Sequence, residues 1–171
     1  KEKRNRLRKM NNNFFKILSF ALIFTVVSCD KNQVFDEYKE FDDTWKKNKK
    51  ATFTFEQKDT TAAYNLFLNV RNNNEYPYNN LFLIVSLNQP DGKVLVDTLE
   101  YQMAHPDGTL MGTGFSDIKE SKLWYKENYS FEKAGKYTLE VEHAVRQTGK
   151  VQGVQDLVGI TELGLRIEKR K

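Results

Sequence analysis

From Ala51 onward apolar and polar residues alternate with a period of two, and that rhythm limits the fold more than any other feature of the 171 residues. Successive side chains of a strand point to opposite faces, so a chain written this way builds sheets with one dry face. Thr52-Phe-Thr-Phe-Glu56 sets Phe53 and Phe55 on one side, and Tyr64-Asn-Leu-Phe-Leu-Asn-Val70 gathers Tyr64, Leu66, Leu68 and Val70. Leu81 to Leu87 is apolar on both faces and reads as a central strand covered on both sides. Further strands are expected at Val94–Tyr101, Trp124–Phe131, Gly135–Glu142 and Leu163–Ile167. Glu140 and Glu142 face out beside inward Leu139 and Val141. Pro90-Asp91-Gly92 and His105-Pro106-Asp107-Gly108 carry turn chemistry, with Pro presetting φ and Gly supplying the left-handed residue. About seven short antiparallel strands in residues 51–171 predict an all-β sandwich, immunoglobulin-like or jelly-roll.

The segment before that domain divides in two. Residues 1–28 hold seven of the 27 basic residues and a single acid, Glu2. A basic run to Asn13, in which Met10 is a candidate initiator, leads into the apolar stretch Ile17–Val27. This run of eleven residues falls short of the about 20 a spanning helix needs, and fits a cleaved signal peptide. Val26-Val27-Ser28-Cys29 follows: aliphatic, small residue, then the only cysteine. These four residues resemble the lipobox of bacterial lipoproteins. The resemblance implies a diacylglyceryl group on the Cys29 thiol, cleavage before Cys29 and acylation of the new amino terminus. Two or more acyl chains make a stable anchor where one is marginal. With Cys29 acylated, no thiol remains for catalysis or for a disulfide.

Residues 29–50 are expected to be the lipidated N-terminus and a tether. Val34, Tyr38, Phe41 and Trp45 could line one face of a short helix, or dock irregularly on the body. Fully extended, this stretch would reach about 70 Å. Lys46-Lys47-Asn48-Lys49-Lys50 reads as solvated linker, with contact to anionic lipid as the alternative.

Removing the leader changes the charge. The whole chain is +4, but from Cys29 onward 20 Lys and Arg face 22 Asp and Glu. A mildly acidic body lacks the excess of cations that neutralises phosphates, which argues against nucleic acid as a partner. Catalytic constellations are equally hard to find. His105 precedes a turn proline and His143 extends a strand on its inward face, and neither sits at a metal-ligand spacing. Gly114-Phe115-Ser116-Asp117 lacks the pattern of a nucleophile elbow, and Gly112-Thr113-Gly114 is too short to cradle phosphate. The carboxylates fall mostly on outward positions, so no acid pair is singled out. The chain is therefore read as no enzyme, with no cofactor, metal or small-molecule substrate.

Aromatics supply the candidate contact residues: Tyr76 and Tyr78, which flank Pro77 in the polar connection Asn72–Asn80, and the adjacent Trp124 and Tyr125. Exposed Tyr and Trp serve as interface anchors or as platforms for sugar rings. Alternation would instead send one ring of each pair into the core.

The stretch Tyr64-Asn-Leu-Phe-Leu-Asn-Val-Arg-Asn-Asn-Asn-Glu-Tyr-Pro-Tyr-Asn-Asn-Leu-Phe-Leu-Ile-Val85 resembles the GldH family of gliding-motility lipoproteins. Pro90-Asp91-Gly92-Lys93, Asp97–Tyr101, Gly112–Phe115, Leu123–Asn128 and Gly159–Ile167 extend the likeness over nearly all of residues 30–170. The resemblance implies a membrane-anchored lipoprotein needed for surface gliding, working beside other envelope motility proteins, and brings no active site. Lipidation at Cys29 would place the chain in the cell envelope, and Asp30-Lys31-Asn32, with a single acid after the cysteine, favours an outer-membrane anchor facing the periplasm. The alternative is a carbohydrate-binding or glycan-hydrolysing β-sandwich lipoprotein.

Overall fold

The computed structural model describes residues 31–114, 116–147 and 149–170, which hold ten strands and no helix. The strands are β1 (Gln33–Glu40), β2 (Thr44–Lys46), β3 (Ala51–Gln57), β4 (Tyr64–Asn72), β5 (Asn80–Asn88), β6 (Val94–Gln102), β7 (Lys119–Tyr129), β8 (Gly135–His143), β9 (Asp156–Val158) and β10 (Ile160–Lys169). One four-stranded sheet runs β1-β10-β4-β7, a second runs β3-β8-β5-β6, and β2 pairs with β9 alone. Every pairing is antiparallel. Only β5 and β6 are sequence neighbours paired in one sheet, and each other long strand crosses to the opposite sheet. Of the two sandwiches left open by the sequence, this interleaving of eight long strands is the jelly roll.

The inward faces follow the alternation. Phe53, Leu66, Leu68, Val70, Leu81, Leu83, Val85, Leu87, Leu139, Val141, Leu163 and Leu165 are all 0% exposed. At one end Phe131, in the β7–β8 connection, lies edge-on to Phe55, Tyr64, Tyr129 and Tyr137 at 4.9–5.8 Å. Pro90-Asp91-Gly92 makes the expected turn. Gly92 has φ +85°, and the Asp91 carboxylate accepts the Lys93 amide at 3.1 Å.

Three expectations need correction. Residues 33–46 are neither helix nor tether: β1 pairs with β10 along the sheet edge, and β2 joins β9 at the end of the sandwich. Its aromatics are structural. Phe35 meets Phe55 at 5.5 Å, and Phe41 stacks on fully buried Trp45 at 4.6 Å. Second, β5 is interior to its sheet, yet Phe82 and Ile84 on its outer face are only half covered. The strand buried on both faces is β4, because side chains from β1 and β7 close over its outer row. Third, β7 runs Lys119–Tyr129 rather than from Trp124. Its register against β4 shifts on both sides of Leu66, which breaks the alternation a sequence reading depends on.

Candidate interaction surface

The outer face of the β1-β10-β4-β7 sheet carries the best-organised set of polar and aromatic side chains. With Leu66, Leu68 and Val70 turned inward, β4 presents Phe67, Asn69 and Arg71 to the other side. Cross-strand register sets Trp124 opposite Phe67, and Glu120 and Glu162 opposite Arg71. Trp124, 51% exposed, tilts against Phe67 at 4.4 Å, while the Lys122 ammonium stands 3.9 Å over the Phe67 ring. Arg71 donates to Glu120 at 2.6 Å and to Glu162 at 2.7 Å, and its guanidinium lies 4.4 Å over the Tyr38 ring. Both carboxylates hold the guanidinium charged, and the Glu120 bond is the largest influence.

Tyr38 reaches this position across a glycine. A Cβ at Gly164 would fall 2.7–2.9 Å from the Tyr38 ring, so only glycine lets the ring lie flat on β10. The Asn69 amide donates to the Tyr38 hydroxyl at 2.9 Å. Burial, the largest influence, pushes that phenol above its ordinary range. Beyond it Arg166 bonds Asp36 at 3.0 Å and Glu168 at 2.5 Å. Partly exposed pairs like these contribute about 0–1 kcal/mol each. Their effect is to fix a flat platform of charge and rings.

The four aromatics singled out from the sequence part company. Trp124 stays half exposed on the outer face, and its neighbour Tyr125 does not. Tyr125 turns inward, is 8% exposed and donates to the Asp97 carboxylate at 3.0 Å; burial and that carboxylate push its ionisation far up. Tyr76 is a core residue, 4% exposed, whose hydroxyl donates to the Asn80 carbonyl at 2.8 Å. A Cβ on Gly159 would come within 2.3 Å of the Tyr76 backbone nitrogen, which shows how closely the connection is packed. Tyr78 is half-buried, edge-on to Tyr76 at 5.8 Å. Cys29 lies outside the described residues.

The two histidines differ in burial. His105 is exposed in its turn. His143 is fully buried against the edge of Trp45 at 5.4 Å, and burial followed by Lys47 lowers its pKa to about 4. A shallow cleft of about 450 Å³ beside His105 is lined by Asn79, Asn80, Glu100 and Gln102, with Asn80 already donating to Glu100 at 2.8 Å. Among the described residues no three His, Cys, Asp or Glu side chains stand together as a metal cradle.

A family profile described as GldH lipoprotein matches residues 33–167. The gliding motility lipoprotein GldH of Flavobacterium johnsoniae is 53% identical over 162 residues, which is 95% of this chain and 99% of that protein. The chain belongs to the GldH lipoprotein family. A GldH homolog from Christiangramia forsetii is 50% identical over 88% of this chain and 94% of its own length. Among solved structures, the VP2 subviral particle of infectious bursal disease virus is similar at a TM-score of 0.43 and 14% identity. That likeness covers 81% of this chain and 32% of the viral one, and is too slight to carry any function. In this GldH lipoprotein the stretch Tyr64–Val85, the longest of those that carry the resemblance, is β4, the connection 73–79 and the first part of β5. Sequence reasoning missed Phe67, Tyr38 and Arg71. The first was the odd ring among polar outward neighbours, and that irregularity in the alternation was the available signal.

Proposed function

We propose that this chain is a lipid-anchored, noncatalytic component of gliding motility that acts through contact with other envelope proteins of the apparatus. One observation carries the reading: 53% identity, over nearly the whole of both chains, to a protein named for gliding motility. Residues 1–28 serve as the signal peptide, Cys29 takes the lipid, and the anchor holds the sandwich on the periplasmic side of the outer membrane. The contact surface is the outer face centred on Trp124, flanked by Lys122 and by the Arg71–Tyr38 pair. An exposed tryptophan on a rigid sheet loses little entropy on docking, which suits it to anchor an interface.

The test is Trp124→Ala, introduced into the native gene and followed by capture of the lipidated protein from envelope membranes. The expected result is an unchanged amount of folded protein, weakened gliding and loss of at least one co-purifying motility protein. Wild-type gliding together with an unchanged set of captured proteins would overturn this choice of surface.

A further inference from the structure

We propose that the end of the sandwich nearest the anchor docks directly on anionic lipid, so that the protein stands end-on at the membrane surface. The proposal rests on the reading of Cys29 as the lipidated residue. The body begins far closer to that residue than the sequence suggested. The Lys169 amide donates to the Asn32 carbonyl at 2.8 Å, and β1 follows at Gln33. Two residues, Asp30 and Lys31, lie between Cys29 and Asn32, and three residue steps span at most about 10 Å whatever path they take. No room is left for a long spacer.

Strand directions show what that end carries. β1 starts there and β10 finishes there, as do β3 and β7, while β4 and β8 start there. The connections 58–63, 89–93 and 130–134 therefore share the end with Asn32 and residues 169–170. The close approach of Gly135 to Pro90 and of Lys169 to Asp59 (2.8 Å) ties them together. These segments hold Lys58, Lys93, Lys133, Lys169 and Arg170, all exposed, against Asp59, Asp91 and Glu132. The rest of the described residues from Asn32 on hold 13 cations and 18 carboxylates. The body is thus acidic overall with a basic base. The Lys46–Lys50 cluster lies at the opposite end, since β3 begins there at Ala51, so it is not the part that meets the bilayer.

With five cations against three carboxylates, one pair of them already joined as Lys169–Asp59, this end keeps a net positive charge that is attracted to anionic headgroups within about one Debye length of a leaflet. A lipid anchor and a basic patch together make a two-signal attachment. Docked this way, the protein would hold its β1-β10-β4-β7 face upright, with residues 73–79, 103–114 and 149–155 farthest from the bilayer.

The test uses the lipidated full-length protein in vesicles of phosphatidylcholine alone and of phosphatidylcholine with phosphatidylglycerol. Lysines are acetylated with a water-soluble ester and each is followed by mass spectrometry. In the anionic vesicles Lys58, Lys93 and Lys133 should react roughly threefold slower or more, an effect removed by high salt, while Lys46, Lys49 and Lys150 react alike in both. The triple variant Lys58→Glu, Lys93→Glu, Lys133→Glu should abolish the slowing at Lys169. Equal rates in the two vesicles, or slowing confined to Lys46 and Lys49, would overturn the proposal. An N-terminal peptide without acyl mass would instead overturn the anchor reading, a failure the same spectra keep distinct.

Discussion

Tyr76 separates a loop anchor from a core residue. If the tyrosine were an exposed hook, Tyr76→Ala would cost no more than about 0.5 kcal/mol. Its ring is 4% exposed, edge-on to Tyr78, and the Tyr76 backbone closes over Gly159. Truncating a buried ring of this size costs about 3–5 kcal/mol through lost transfer energy and the cavity left behind. Tyr76→Phe keeps the ring and removes only the hydroxyl bond to the Asn80 carbonyl at 2.8 Å, so it should cost about 1 kcal/mol. Urea unfolding of the unlipidated body, read from the fluorescence of Trp45 and Trp124, makes the comparison. At a slope of about 2 kcal/mol/M the alanine variant should lose about 2 M in midpoint and the phenylalanine variant about 0.5 M. A midpoint for Tyr76→Ala within about 0.3 M of wild type would refute the burial argument.

Two further outcomes follow from the packing. Gly164→Ala should lift Tyr38 off β10, costing about 1–3 kcal/mol as an overpacked site, and Tyr38→Ala in the same background should recover part of that loss; equal stability of Gly164→Ala and wild type in urea would contradict it. His143 should make stability depend on pH in a defined direction. Its folded pKa of about 4 lies below the ordinary 6.5, so the unfolded chain takes up the proton first as pH falls. The contribution is complete above about pH 6.5 and is lost on acidification towards pH 4, by at most about 3 kcal/mol. Urea midpoints across that range should slope less in His143→Gln, and identical slopes would count against the buried neutral histidine.

Much of the fold was legible because burial on one face writes itself as alternation. β3, β5, β8 and β10 keep a regular inward row, and their limits lie within a few residues of expectation. β1 was not legible, for a physical reason. It is an edge strand rich in charge, with Asp36, Glu37, Lys39 and Glu40, and edge strands resist unwanted pairing by such means. Its Phe35 faces Phe55 in the core while Tyr38 lies on the outer face, so its apolar spacing imitates a helix. β2 and β9 are three residues each, too short to show a period. On the candidate surface, the Trp124–Tyr125 pair obeyed alternation, one ring out and one in. The Arg71–Tyr38 contact could not be read from the chain, because 33 positions and a sheet crossing separate the two residues.

In the proposed arrangement the lipid on Cys29 sets both the location and the orientation of the protein. Cells carrying wild type or Cys29→Ser, fed an alkyne fatty acid and examined for label on the purified protein, test this most directly. The expected result is label on the wild type, none on the variant, an uncleaved variant leader and loss of gliding. Equal label on both proteins, or full gliding by an unlabelled variant, would contradict the account.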